Sequence, residues 1–389
     1  MNYTTSEIGD LALGQLTTNE LQEARRAFDG FARLFGRSWI DKVFEQKRSP
    51  VLVLYIRSLW EKWLLVGGLD KSEEMIKRWR SGIEELGVTS ELEVIAPLAD
   101  TCSAVELFPQ VGSKVPDLRF QADSPWIYCE VSGRGLSKVW KRGTDILNRV
   151  ASAAANMAEG THGMVAILRD LRECDIQRLI SWLYSARESD EAKLDDLGVF
   201  RAGEMGSSMD QDQSLVSLVP APRAFATSFT ATDGHIHRKG TACMSISDRS
   251  AHEILETEAS QLPRDHPGLI FLDISKVIGG ITEWVPLIQR RFQPNINTRI
   301  SGVILFRVSR TLEGPILQGR MLLNQYARNP LPEAVVTLLR GMFTRSPSEQ
   351  AAQHRVGRPV FETRFISTTG NGEPKEGVCT LYNGKPTNR

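Results

Sequence analysis

Asp117 and Glu130 lie thirteen positions apart in the stretch from Lys114 to Ser132. A hairpin with its turn between Asp123 and Ser124 pairs residues whose numbers sum to 247, so Asp117 falls opposite Glu130, Leu118 opposite Cys129 and Phe120 opposite Ile127. One face then carries Leu118, Phe120, Ile127, Cys129 and Val131; the other carries Asp117, Arg119, Tyr128, Glu130 and Ser132. That division suits a half-buried antiparallel pair. Opposed side chains in such a pair lie roughly 5 Å apart, and like charges there destabilise it. Two facing acids therefore call for a compensator, and a divalent cation with hard oxygen ligands is the natural one.

The elements that must position this pair can be read from periodicity and stop signals. Residues 1–86 read as a helical domain. One helix is capped near Thr17-Thr18 and runs through Phe35 to Gly36; others cover Val51–Val66 and about Lys71–Leu86. Trp39, Trp60, Trp63 and Trp79 fall here, and packing of a small bundle accounts for them better than base stacking. Thr89-Ser90 is read as the N-cap of a helix from Glu91 to about Asp100, followed by a strand at Ala104–Phe108 and the hairpin. After a glycine-broken loop come a helix from Val139 to about Ala158 and a doubly buried strand at Met164–Leu168. Residues 189–240 read as an insertion. A helix at Ser250–Leu262 and a strand at Leu269–Ile274 follow. A helix near Ile281–Phe292 and a strand near Gly302–Val308 then complete a strand–helix–strand unit, expected to extend the same sheet in parallel. The expectation is an α/β fold: a mixed central sheet flanked by helices, with an N-terminal helical domain (1–86), a core (87–310) and a partly irregular extension (311–389).

The totals exclude several classes. Lys plus Arg and Asp plus Glu both number 47, so the net charge is zero and any nucleic-acid surface must be local. Five dispersed cysteines without CxxC spacing argue against a disulfide framework or a structural zinc site. No apolar run reaches the roughly 18 residues needed to span a bilayer, and Met1–Asp10 shows no secretory pattern. A soluble, cytoplasmic protein without a membrane partner is expected.

Helix, strand, carboxylate hairpin, helix, strand resembles the PD-(D/E)XK nuclease superfamily, whose members include restriction, repair and phage-defence endonucleases. The matching residues are Pro116-Asp117 and Cys129-Glu130-Val131-Ser132, with Ser90-Glu91-Leu92-Glu93 on the preceding helix; the likeness covers about residues 88–170, with 250–308 extending the sheet. It implies that Asp117, Glu130 and the Val131 carbonyl hold Mg²⁺ or Mn²⁺, with Glu91 approaching directly or through water. It implies hydrolysis of a nucleic-acid phosphodiester, with DNA as the expected substrate.

One departure matters. The family places a lysine two residues after the second acid, and this chain has Ser132 there. A hydroxyl can hold a water but brings no charge. Lys138 is the first candidate for a relocated cation, followed by Lys141 and by Lys114, which alternation puts on the opposite face from Asp117. A basic stretch through Arg134, Lys138, Lys141, Arg142 and Arg149 could grip a nucleic-acid backbone. Glu93 and Glu106 are reserve acids. His235 and His237 lack a third zinc ligand, His252 and Glu256 read as a surface i,i+4 pair, and Asp273 ends a strand without an identifiable partner. The alternative to an endonuclease is a non-catalytic nuclease-like fold that binds nucleic acid or serves as an accessory or self-associating scaffold subunit.

Overall fold

The computed structural model describes residues 3–44, 48–80, 85–122, 125–133, 138–156, 158–186, 190–209, 211–232, 235–246, 248–275, 280–311, 314–343, 359–368 and 374–382. The chain opens with helices α1 (Thr5–Leu11), α2 (Thr18–Phe35), α3 (Arg37–Phe44), α4 (Pro50–Val66), α5 (Ser72–Arg80) and α6 (Glu85–Thr101). Strands β1 (Ala104–Leu107), β2 (Leu118–Gln121) and β3 (Ile127–Ser132) follow. Next come α7 (Lys138–Ala154), β4 (Thr161–Ile167), α8 (Glu173–Ala186), β5 (Glu191–Leu194), β6 (Gly198–Glu204), α9 (Gln213–Ser217), β7 (Arg223–Thr232) and β8 (His235–Ser245). The remainder is α10 (Asp248–Gln261), β9 (Gly268–Asp273), α11 (Ile281–Gln289), β10 (Ile300–Thr311), β11 (Gly314–Leu323), α12 (Glu333–Phe343), β12 (Pro359–Thr368) and β13 (Pro374–Tyr382).

Two compact units result. The first comprises Met1–Gly135, His252–Lys276 and Ile288–His354; the second comprises Leu136–Ala251, Val277–Leu287 and Arg355–Arg389. The division differs from the linear order read from the sequence. The N-terminal helices are not a separate body. Phe28, Phe31, Leu59 and Trp79 share one buried cluster with Leu92, Phe120, Ile127, Phe271 and Phe343. The tryptophans serve that packing: Trp79 lies edge-on to Phe31, and Trp60 occupies the space a side chain at Gly30 would need.

The first unit holds a six-stranded mixed sheet in the order β1-β2-β3-β9-β10-β11. β1, β2 and β3 form an antiparallel meander, β9 runs parallel to β3, β10 runs parallel to β9, and β11 returns antiparallel. The hairpin register is the expected one: Leu118 opposes Cys129, Arg119 opposes Tyr128 and Phe120 opposes Ile127. Asp123 and Ser124, at the expected turn, lie outside the described residues. Burial departs from expectation, because β3 is buried along its whole length rather than on one face. It is an interior strand, covered at its second edge by β9, so Tyr128, Glu130 and Ser132 are enclosed as well.

The second unit holds a five-stranded sheet in the order β5-β6-β4-β8-β7. Here the expectation fails in two ways. The buried strand after the hairpin exists, but β4 is flanked by β6 and β8, not by β3. The segment read as an insertion supplies four of that sheet's strands. Ser207 and Thr241 meet His162 of β4, with Thr241 Oγ1 2.8 Å from Nε2, and burial pushes the imidazole down to about 4, so it serves as a neutral core group. Of the C-terminal extension, Pro359–Thr368 and Pro374–Tyr382 are described, and they pair as the antiparallel strands β12 and β13. The β-branched and aromatic content of these two segments suits strand pairing.

α6 begins earlier than its apparent cap. Thr89 and Ser90 sit inside it, and Ser90 Oγ donates to Asp273 Oδ2 at 2.6 Å instead of capping. Tertiary bonding overrides the local signal, and so does helix continuity through Gly87.

Gly268 opens β9 between Tyr128 and Ile300. A Cβ there would come within 2.7 Å of the Arg299 carbonyl and 2.9 Å of Leu262 Cδ1. Gly268→Ala is expected to lower stability by about 1–3 kcal/mol, read as a lower urea midpoint with an unchanged m-value.

Candidate functional site

The site is built where β2 and β3 meet α6 in the first unit. Asp117 immediately precedes β2. Its Oδ2 accepts from the Val131 N–H at 2.8 Å, so the carboxylate is tied to the neighbouring strand's backbone. Its carbonyl accepts from the Phe108 N–H at 2.9 Å. Phe108 has φ 49, unusual for a bulky residue. Two bonds hold it there, the one it donates to the Asp117 carbonyl and one from Lys71 Nζ to its own carbonyl at 2.9 Å.

Glu130 lies on β3 with its side chain buried. Its Oε1 is buried and has no hydrogen-bond partner among the described residues. Burial, followed by the charges of Asp117 and Glu258, a hydrogen bond with Asp117 and the charge of Glu91, pushes its carboxyl up to about 11. Glu130 is therefore protonated at neutral pH and donates to the Asp117 carboxylate. The expected proximity of the two acids is present, and a proton shared between them relieves their repulsion.

Glu91, from α6, is also buried and pairs with Arg78 of α5, Nη1 to Oε1 3.1 Å. The same Nη1 lies 3.7 Å from Asp117 Oδ1. The guanidinium stacks on Phe108, with Cζ 4.2 Å from the ring centre. Among the described residues no group of three or more His, Cys, Asp or Glu side chains is arranged to hold a metal ion. Two carboxylates bridged by a proton, and a third acid bridged to them by Arg78, are what stands there. A pair of carboxylates nevertheless matches Mg²⁺, which takes one or two acids and keeps several waters. The partnerless Oε1 of Glu130 is a donor atom of the right kind.

Ser132 is buried at the end of β3, beside Leu272. The cation candidates fare differently. Arg134 lies outside the described residues, as do the side chains of Lys138 and Lys141. Arg142 donates to the Leu171 carbonyl at 2.9 Å, and Arg149 pairs with Glu173 at 2.8 Å, so both serve the second unit's own packing. Lys114 Nζ donates to the Ser260 carbonyl. Of the reserve acids, Glu93 pairs with Lys62 at 2.7 Å and Glu106 with the opposed Arg119. His237 pairs with Glu159 at 2.6 Å, and His252 lies 3.5 Å from Glu256.

Arg78 and Glu258 also belong to the site, and the sequence does not mark them. Arg78 sits in an ordinary basic helix end, Lys77-Arg78-Trp79-Arg80, with nothing to mark it. Glu258 acts on Glu130 from α10, whose return to the first unit is a long-range event. Comparison of the chain with protein-family models, curated proteins and solved structures finds no match. No described helix is long and apolar enough to cross a membrane.

The Glu130 proton has a measurable consequence. The unfolded carboxyl releases it near 4.5, whereas the folded one keeps it to about 11. Between those values the folded state binds the extra proton, so its stability falls as pH rises through that window. Glu130→Gln removes the dependence. Without metal, the variant is expected to match the wild type at pH 4 and to exceed it by up to about 5 kcal/mol at pH 8, measured by urea unfolding.

Proposed function

We propose that the chain is a divalent-metal-dependent nuclease, a DNA endonuclease with a restriction-endonuclease-like core, centred on Asp117 and Glu130. The observation that carries this reading is the buried, partnerless oxygen of Glu130 beside the Asp117 carboxylate. The element order of the first unit agrees with it, once α10 and β9 rather than α7 and β4 are taken as the helix and strand that complete the meander. DNA as substrate, and any part in defence, rest on the family likeness alone.

In this reading Asp117, Glu130 and the Val131 carbonyl would hold Mg²⁺ or Mn²⁺. The ion supplies an activated water and neutralises charge on the phosphate oxygens. Asp117 is oriented by the Val131 N–H. Glu130 would hold such an ion as its carboxylate, without its proton. Glu91 orients water from α6. Arg78, already 3.7 Å from Asp117, supplies the positive charge that Ser132 lacks, in place of the lysines near the glycine loop. A guanidinium beside a developing phosphorane charge is an effective electrostatic stabiliser.

Plasmid cleavage with Mn²⁺ tests this. Asp117→Ala and Glu130→Ala are each expected to lower the rate at least about a hundredfold. Arg78→Ala is expected to lower it comparably while Mn²⁺ still binds. Cleavage that survives both carboxylate changes would end the proposal.

The second reading, a non-catalytic nucleic-acid-binding or scaffold subunit, is favoured by one observation: Ser132 is buried at the motif position with no charge of its own. Ser132→Lys separates the two. Cleavage gained from an inactive wild type supports the second reading; an active wild type left unchanged supports Arg78.

A further inference from the structure

We propose that Arg264, Arg299 and Arg328 form a docking site for the phosphodiester backbone of a nucleic acid. All three belong to the first unit. They come from three separate loops, one between α10 and β9, one leading into β10 and one following β11. Asparagine side chains lash these loops together. Asn329 Nδ2 donates to the carbonyls of Arg264 at 2.8 Å and His266 at 3.3 Å. The Arg328 N–H donates to the Thr298 carbonyl at 2.8 Å. The buried Asn324 donates to the carbonyls of Asn297 at 3.1 Å and Ile300 at 2.9 Å. The backbone at each arginine is therefore fixed before any ligand arrives.

Arg264 and Arg328 are exposed and Arg299 is half-buried. Among the described residues none of the three forms an ion pair, in contrast to Arg149, Arg178 and Arg201. Burial, then the positive charges of Arg264 and Arg328, lowers the pKa of Arg299. Like charges held together by rigid loops oppose folding unless an anion joins them. In a chain with zero net charge the patch is a local feature rather than a consequence of composition. Guanidinium groups recognise phosphate in a bidentate manner, which favours this ligand over a simple counter-ion.

Its place in the sheet points the same way. His266, in the Arg264 loop, packs against Tyr128 with ring centres 5.0 Å apart. Tyr128 and Glu130 are two residues apart on β3 and so face the same side, about 7 Å apart along the strand. A backbone gripped by the arginine loops would thus run on the Glu130 side. The choice of nucleic acid as the polyanion rests on the nuclease reading; the binding itself needs no cleavage.

The test is fluorescence anisotropy of a short labelled DNA duplex with the full chain in EDTA, so that no cutting occurs. Arg264→Ala and Arg328→Ala are each expected to weaken binding several-fold. Each should lower the slope of log affinity against log salt by about one. The triple alanine variant should lose at least about tenfold, and the triple lysine variant should recover most of the salt slope. Arg178→Ala, an exposed arginine of the second unit, controls for net charge. If the triple alanine variant fails to fold, the double Arg264→Glu, Arg328→Glu variant at exposed positions replaces it. Losses no larger than in Arg178→Ala overturn the proposal, as does displacement of the duplex by inorganic phosphate at low millimolar concentration. Failure of the nuclease reading looks different: Asp117→Ala would cut as well as the wild type, with these binding losses intact.

Discussion

A carboxyl group enclosed by protein cannot keep its charge unless something pays for it, and Glu130 is enclosed on every side. β3 is flanked by β2 and β9 and carries no exposed residue, so the acid at its centre has either a proton or a cation. Burial and the Asp117 charge favour the proton, shared with Asp117. Much of the first unit can be understood as holding that arrangement. The β2–β3 register brings Asp117 level with Glu130, the Val131 N–H fixes the Asp117 carboxylate, and the strained backbone at Phe108 is tied to the Asp117 carbonyl. A buried, mutually coupled pair of acids costs stability, and such costs concentrate at functional sites.

Around this pair the fold places charge of both signs in order. Glu91 and Glu258 add negative potential from α6 and α10. Arg78 answers it from α5, stacked on Phe108 and bridging Glu91 to Asp117. The arginine is thereby the counter-charge to both acids. A second polar knot, in which Ser90 joins Asp273 and Lys62 joins Glu93, fastens α6 to α4 and to the end of β9. The helix bearing Glu91 is thus positioned by polar bonds as well as by the apolar cluster of Leu92, Ile95 and Leu98.

The local part of this design was legible in the sequence. Alternation from Asp117 to Ser132 gave the register, because a shift of one residue would have turned Phe120 and Ile127 out of the core. Thr17, Phe35 and Gly36 marked α2 correctly through ordinary capping chemistry. What was not legible depends on partners far along the chain. Thr89 and Ser90 look like a cap until Asp273 is seen to claim Ser90. Met164–Leu168 reads as a buried strand, but no pattern says that it belongs beside β6 and β8 instead of β3. The stretch from 189 to 240, loop-like in composition, supplies strands because β4 offers both of its edges. Arg78 gave no signal at all, since its importance comes only from where α5 packs.

The account depends on Glu130 exchanging its proton for a divalent ion. Calorimetric titration of Mn²⁺ into the protein, repeated in buffers of different ionisation enthalpy, measures that exchange directly. Saturable binding with release of about one proton per ion near neutral pH is expected, with loss of that release in Glu130→Gln. Absence of saturable binding, or binding with the same proton release in Glu130→Gln, would contradict it.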